Sequence, residues 1–440
     1  MVKAGDRPRV CMFVYNNLIH DARVRKEART LTAAGYEVTV LAVHDPGRTP
    51  REERVQGFRI LRLSRSILGV SRREMMARLR GRPVPAPGPQ ARSAKPGPLR
   101  RLTARGRLLS LLEAAVRLSV YPLRRVLVYL RFVRAALGTR ADVYHAHDLN
   151  TLLMARTASR VGRGRLVYDT HEVATDRANM KLRWWAWFLE GRLIHSADAV
   201  ICTNQTRADF TQQRYRLEPP VILRNLPAYS EPESSGLLHE RLGLPAGAKV
   251  VLYQGGIQAG RGLEQLLEAA PAIEGGLIVL LGSGRLKPAI ERRSAEMELG
   301  EKVFFHEAVP VDELPQWTAC AYVGLQILQN TCFNHYSSLS NKLLEYLMAG
   351  VPVVASDLPE MRRVIEETGA GVLVDPSDPT AIATAVNRLL ADEAIREEMA
   401  QRARQARGRY CWEREEQVLV DLYARLLRER SAPLSDATEW

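Results

Sequence analysis

The stretch Ser337-Ser-Leu-Ser-Asn-Lys-Leu-Leu-Glu345, running on to Gly350-Val-Pro-Val-Val-Ala-Ser356, puts hydroxyls, an amide, an ammonium and a carboxylate into one short segment. Ser340 stands where a helix N-cap belongs, Asn341 and Lys342 fill the first turn, and Gly350 to Pro352 end the helix before the apolar run Val353 to Ala355. The unbonded N–H groups and positive dipole at such a helix start attract phosphate oxygens. Glu345 falls on the same face as Asn341 and Lys342, so a carboxylate able to accept hydroxyl groups adjoins the phosphate position. On spacing alone, an exposed Lys–Glu pair on an ordinary helix fits equally well.

Tyr253-Gln-Gly255-Gly256-Ile-Gln-Ala-Gly260-Arg261-Gly262 supplies four glycines, which let backbone amides approach phosphate, and an Arg261 that can bind two oxygens at once. Gly282-Ser-Gly284 closes the next apolar run and suits either the same ligand or a tight turn. In Asp142-Val-Tyr-His-Ala-His147-Asp148, strand alternation puts His145 and His147 on one side. His147 and Asp148 then fall at the carboxyl end, where open α/β sheets bind ligands. His-x-His can be a metal fragment, but no third ligand of matching spacing accompanies it, so no metal is expected. His145 is expected to bond within its own domain. Asp169-Thr-His171-Glu172 ends a further strand the same way, leaving His171 and Glu172 open between ligand contact and a supporting role. Asp21 and Arg23 follow the first strand and read as a helix cap plus a surface charge, or as lining of that same edge.

Holding these groups requires alternating strands and helices. Arg9 to Tyr15, a helix from His20 to Ala34, and Tyr36 to Val43 make a βαβ opening, with Asn16 to Asp21 in place of a GxGxxG turn. Strands resume at Val143 to Ala146, Leu166 to Asp169 and Ala199 to Cys202. Trp184, Trp185 and Trp187 lie on a helix between the last two, where core packing is the default. Val221 to Pro232 carries two prolines and suits a linker. Six further apolar runs follow, at Val250 to Tyr253, Leu277 to Leu281, Val303 to Phe305, Val323 to Ile327, Val353 to Ala355 and Gly371 to Val374, and predict a second parallel sheet.

The 440 residues suit two domains, and five scattered cysteines argue against a disulfide framework. The +14 net charge is local: residues 62–140 hold nineteen Arg or Lys against Glu74 and Glu113, so the remainder is slightly acidic. That segment opens with a Pro/Gly/Arg tract, Gly81 to Pro98, expected to be a loop. Gly106 to Leu137 follows, with Arg117, Arg124 and Arg131 at seven-residue spacing opposite a broad apolar face, interrupted at Pro122. Such a helix could lie on an anionic membrane or pack on its own domain. Neither a membrane span nor a signal peptide is indicated, which predicts a cytoplasmic chain, and without aromatic interleaving no nucleic-acid partner is expected.

The segment from Ser337 resembles the C-terminal signature of family 4 glycosyltransferases, in which a Glu, seven residues and a second Glu precede Ala-x-Gly-x-Pro-Val-Val-Ala. Glu345 matches the second Glu, and Ser337 stands in place of the first. In the glycine loop Arg261 matches the family's Lys, while Gly256 stands where an Arg is usual. The resemblance implies an α/β GT-B fold: two Rossmann-like doubly wound domains facing an interdomain cleft, with a C-terminal helix crossing back. Domains would run 1–228, 229–410 and, for the helix segment, 411–440. It implies a retaining, metal-independent transfer of a sugar from a nucleoside-diphosphate sugar to a hydroxyl, with no cofactor, in cell-surface glycan or glycolipid synthesis. His147, Arg261 and Lys342 would be catalytic. Gly255, Gly256, Gly282, Gly284, Ser337, Ser340, Asn341 and Glu345 would join the two cations in holding the donor. Asp21, Arg23, Asp148, His171 and Glu172 would face a glycan or lipid-linked acceptor, at the inner face of the membrane if residues 62–140 bind it. A nucleotide-sugar epimerase of the same fold, or a non-catalytic membrane- or polyanion-binding protein on it, is the alternative.

Overall fold

The computed structural model describes residues 7–66, 123–173 and 183–431. The tract Gly81 to Pro98, and the basic helix as far as Pro122, lie outside them. The chain divides into two compact units, one comprising Met1–Asp169, Arg192–Val200 and Tyr423–Trp440, the other Thr170–Gly191 and Ile201–Leu422.

Among the described residues one sheet has eight strands: β1 Arg9–Phe13, β2 Glu37–Val43, β3 Glu52–Val55, β4 Phe58–Leu63, β5 Val143–His147, β6 Arg165–Thr170, β7 Ala199–Cys202 and β8 Val221–Ile222. Their spatial order is β3-β4-β2-β1-β5-β6-β7-β8. β1 pairs in parallel with both β2 and β5, and β5 with β6. The central strands are buried on both faces, as parallel strands covered by helices must be.

The hairpin β3–β4 was not foreseen from the sequence. Its turn is two residues, Gln56 and Gly57, with φ of 51° and 89°. That is the backbone of a tight hairpin turn, carried here by Gln-Gly rather than the Asn-Gly pair that usually announces it. The stretch beginning at Val221 also needs correcting: it starts as edge strand β8, paired in parallel with β7, and only later becomes irregular.

The second sheet has six strands: β9 Lys249–Gln254, β10 Gly276–Leu281, β11 Val303–His306, β12 Val323–Gln326, β13 Val353–Ser356 and β14 Gly371–Val374, ordered β11-β10-β9-β12-β13-β14 and parallel throughout. Each run expected from the sequence is present. Two apolar cores flank it, one around Leu343, Leu344 and Leu347, the other around Leu263, Leu266 and Leu267.

Within the basic segment, residues 123–139 form a helix. It buries Val128, Phe132 and Ala136, while Arg131 donates to the carbonyls of Ser64 and Ser66 at 2.8 and 2.6 Å. A second apolar stripe, Leu123, Val126 and Leu130, stays exposed at 53% each. The tryptophans depart from the core default: Trp184, Trp185 and Trp187 on the helix Arg183–Ile194 are 65, 50 and 42% exposed. Apolar residues surround that helix on every side, so it has more apolar surface than one contact face can cover. The cysteines are free, and all but Cys332 are buried.

Candidate active site

In the second unit the helix Asn341–Ala349 is seated by Leu343, Leu344 and Leu347, each worth ~1.5–3 kcal/mol on full burial. It is also pinned by Tyr346, whose hydroxyl donates to the Leu252 carbonyl at 2.7 Å and accepts from the Gln254 N–H at 3.2 Å. Gly350, at φ 72°, ends it in the left-handed conformation. Ser340 occupies the N-cap with extended backbone, but its hydroxyl makes no capping bond. The expected cap is therefore positional only.

One turn into the helix, Glu345 Oε2 accepts from Gln254 Nε2 at 2.6 Å, and Gln254 Oε1 accepts from Thr318 at 2.8 Å. Burial raises the Glu345 pKa, against the opposing pull of Gln254 and Lys342. Lys342 lies over the Tyr253 ring at 5.2 Å, and burial, then the charge of Arg261, push its pKa down to about 8. Burial and Arg261 also lower the pKa of His335. Positive charge is thus concentrated beside a helix start, a field that an anion would relieve.

The glycines shape this place. Gly255 has φ 115°, and a Cβ there would lie 2.7 Å from Lys342 Cε. At Gly282 a Cβ would lie 1.9 Å from the Gly255 carbonyl oxygen, and at Gly284 equally close to that of Ile257. Gly282 and Gly284 therefore let two backbone turns touch, and Gly256 is exposed, with the Gln258 side chain 3.5 Å from where its Cβ would lie. Ser337 is separate: it is wholly buried, donates to the Phe333 carbonyl at 2.7 Å, and accepts from Arg207 Nε at 3.2 Å.

In the first unit the strand ends gather a buried polar cluster. Arg23 is 5% exposed, not a surface charge, and lies 3.0 Å from both Glu27 and Asp169. Burial works against its charge, but the two carboxylates outweigh that and raise its pKa. His147 Nδ1 is 3.4 Å from Asp169 Oδ2. The His147 ring stacks on His145 with centroids 4.1 Å apart, and His145 Nδ1 bonds the Tyr423 hydroxyl at 2.8 Å, the internal bonding expected of it. One donor atom from each of Glu27, His145, His147 and Asp169 lies within 4.8 Å of the others. Arg23 spans both carboxylates, and the fold brings to His145 and His147 two further ligand atoms that sequence spacing did not show.

Asp21 caps its helix, accepting from the Val24 N–H at 3.2 Å. Asp148 adopts φ 66° at the end of β5, His171 is half-buried with its carbonyl bonded to Arg207, and Glu172 is exposed. Asp169 was read from the sequence as part of a strand end at the ligand edge but given no role of its own, and Tyr423 and Gln254 were passed over, although Gln254 also sits at a strand carboxyl end.

Two family descriptions match: "Glycosyl transferases group 1" over residues 248–392 and "Glycosyl transferase 4-like domain" over 21–225. The chain belongs to the group 1 glycosyltransferases. Among this family's curated members, D-inositol 3-phosphate glycosyltransferase of Xylanimonas cellulosilytica is 29% identical over 258 residues, 55% of this chain and 60% of the relative. That of Corynebacterium urealyticum is 33% identical over 196 residues, 42 and 45% of the two chains. The match thus spans about half the length of these relatives. Sucrose-phosphate synthase from Thermosynechococcus elongatus has a similar fold, with TM-score 0.70, 18% identity, and 96 and 100% of the two chains covered. Anabaena HepE, solved with UDP-glucose, gives TM-score 0.67, 15% identity, and 95 and 99% coverage. The group 1 transferase described here thus has the mixed α/β GT-B fold.

Proposed function

We propose that the chain is a retaining, metal-independent glycosyltransferase that moves a sugar from a nucleoside diphosphate to an acceptor hydroxyl. The observation that carries this is the pair of cations Arg261 and Lys342 beside Glu345 at one helix start. As the glycosidic bond breaks, negative charge grows on the departing diphosphate. Cations and helix N–H groups placed there bind the transition state more tightly than the ground state. They offer the positive charge that a divalent ion supplies in other transferases. Glu345, held by Gln254, accepts the ribose hydroxyls. The leaving phosphate takes the acceptor proton on the face it vacates, which needs no protein nucleophile.

UDP sugars are the first donors to test, because HepE was solved with UDP and with UDP-glucose. The names of the curated relatives make D-inositol 3-phosphate a first soluble acceptor probe, beside the glycan or lipid-linked acceptors of cell-surface synthesis. A peripheral position on an anionic membrane, at its inner face, is supported by the exposed stripe Leu123, Val126 and Leu130 among basic residues. No helix among the described residues is long and apolar enough to cross one.

Thermal unfolding with UDP, GDP and dTDP sugars identifies the donor, since a ligand held only by the folded state raises its stability. With that donor, Arg261→Ala and Glu345→Ala should each abolish transfer while the fold persists. Near-normal turnover in either variant overturns the proposal, and release of an epimerised donor without acceptor would replace it.

A further inference from the structure

The loop that carries Arg261 rests against a histidine to which the proposed mechanism gives no task. The Gly260 carbonyl accepts from the Gln329 N–H at 3.0 Å, and a Cβ on Gly260 would lie 3.0 Å from His335 Cε1 and 3.2 Å from Thr331 Oγ1. His335 thus packs a ring edge on the residue next to Arg261. Its Nδ1 lies 3.1 Å from the Gln329 carbonyl oxygen and 2.9 Å from the Thr331 hydroxyl. A carbonyl oxygen only accepts, so Nδ1 carries a proton, and in the neutral ring the lone pair falls on Nε2. Both bonds use Nδ1; Nε2 of the half-buried ring has no bonding partner among the described residues and is not sealed from solvent.

Burial opposes a positive charge on this ring most strongly, and Arg261 on the glycine loop and Lys342 on the helix Asn341–Ala349 oppose it too, while Glu172 after β6 favours it. Cys332 and Tyr336, on the short turn that carries His335, are its other titratable neighbours. The balance holds His335 below the usual histidine range, hence neutral in the empty protein at pH 7. A diphosphate at Arg261 and Lys342 reverses that balance, since it offsets both cations and brings negative charge of its own. We infer that His335 becomes a third cation of the diphosphate site: as the nucleotide docks, Nε2 takes a proton from solvent and donates it in a hydrogen bond to a diphosphate oxygen. Without that proton the Nε2 lone pair would face a phosphate lone pair, and the two would repel. The inference rests on the reading of Arg261 and Lys342 as the diphosphate site. It spares the empty protein a third crowded positive charge and supplies one when an anion is there to meet it.

Proton–carbon spectra of the full chain labelled with 13C-histidine follow the titration, with the His335 signal assigned by its loss in His335→Gln. UDP is the probe, with GDP and dTDP run in parallel. Without nucleotide the His335 midpoint should lie below about 6.5. With saturating nucleotide it should rise by about one pH unit or more, and an unmoved midpoint overturns the inference. Nucleotide affinity by calorimetry is the second arm. His335→Asn keeps an amide N–H where Nδ1 stood, and with it the bond to the Gln329 carbonyl, but has nothing in place of Nε2. It should weaken binding about tenfold at pH 6, with the deficit shrinking as pH rises to 8. The nucleotide's own titration is common to both proteins and drops out of the comparison. A deficit equal at every pH would give the ring a structural part alone, and no deficit would give it none; either result overturns the inference. If UDP, GDP and dTDP all fail to bind the wild type, the reading of the diphosphate site falls first.

Discussion

At the residue scale, Lys342 gives the sharpest expectation. Its ammonium, with a pKa brought down to about 8 by burial and by Arg261, is partly deprotonated just above neutrality in the empty protein. A bound diphosphate favours the charged form, so nucleotide binding at pH 8 to 8.5 should take up a proton. Calorimetry in buffers of different ionisation enthalpy reads that uptake, and Lys342→Met should remove it. The linkage sign for folding is the reverse of a salt bridge: the folded pKa lies below the unfolded one, so the cost of burying this cation is full below about 8 and is relieved as pH rises through that value. Lys342, Glu345 and Arg261 were legible because their neighbours in sequence define their setting. Their partners were not. Gln254 meets Glu345 from 91 residues away, Arg23 meets Asp169 across 146, and His145 meets Tyr423 across 278. No local pattern encodes such meetings; they exist only once the sheets are assembled.

At the element scale, the six strands of the second sheet were legible because buried parallel strands are short apolar runs between turn signals. The hairpin at Gln56–Gly57 was not, since its left-handed turn is entered by a residue that seldom adopts it. The contact between the turns after β9 and β10 carries a stability prediction. Gly282→Ala would place a methyl 1.9 Å from a backbone oxygen, which side-chain repacking cannot relieve. A loss of roughly 3 kcal/mol is expected in denaturant unfolding, with nucleotide affinity falling in parallel. The helix over 123–139 carries another. Its residues Leu123, Val126 and Leu130 recur at spacings of three and four and remain exposed, so Val126→Glu with Leu130→Glu should cut partition onto anionic vesicles roughly tenfold and leave the melting temperature in place. Unchanged partition would assign the membrane contact elsewhere, with the exposed tryptophans next to be tested.

At the scale of the whole molecule, two compact units should give separable calorimetric transitions, and a nucleotide held by the second should raise one of them. A single transition shifted as a whole would mean that the units unfold together. The two-sheet plan was legible from the order of apolar runs, whereas the interleaving of 170–191 and 201–422 with the first unit was not, because it depends on where the chain returns. The helix Trp412–Ser431 has a further consequence. It belongs to the second unit through Leu422 and to the first from Tyr423 onward, where Tyr423 and Leu426 are buried. The first unit's core is thus closed by residues synthesised more than 250 positions after its last central strand, β6. On the ribosome this unit must wait, incomplete, while the second emerges and folds. A nonsense codon shortly before Tyr423 would then damage the part of the protein that was made first.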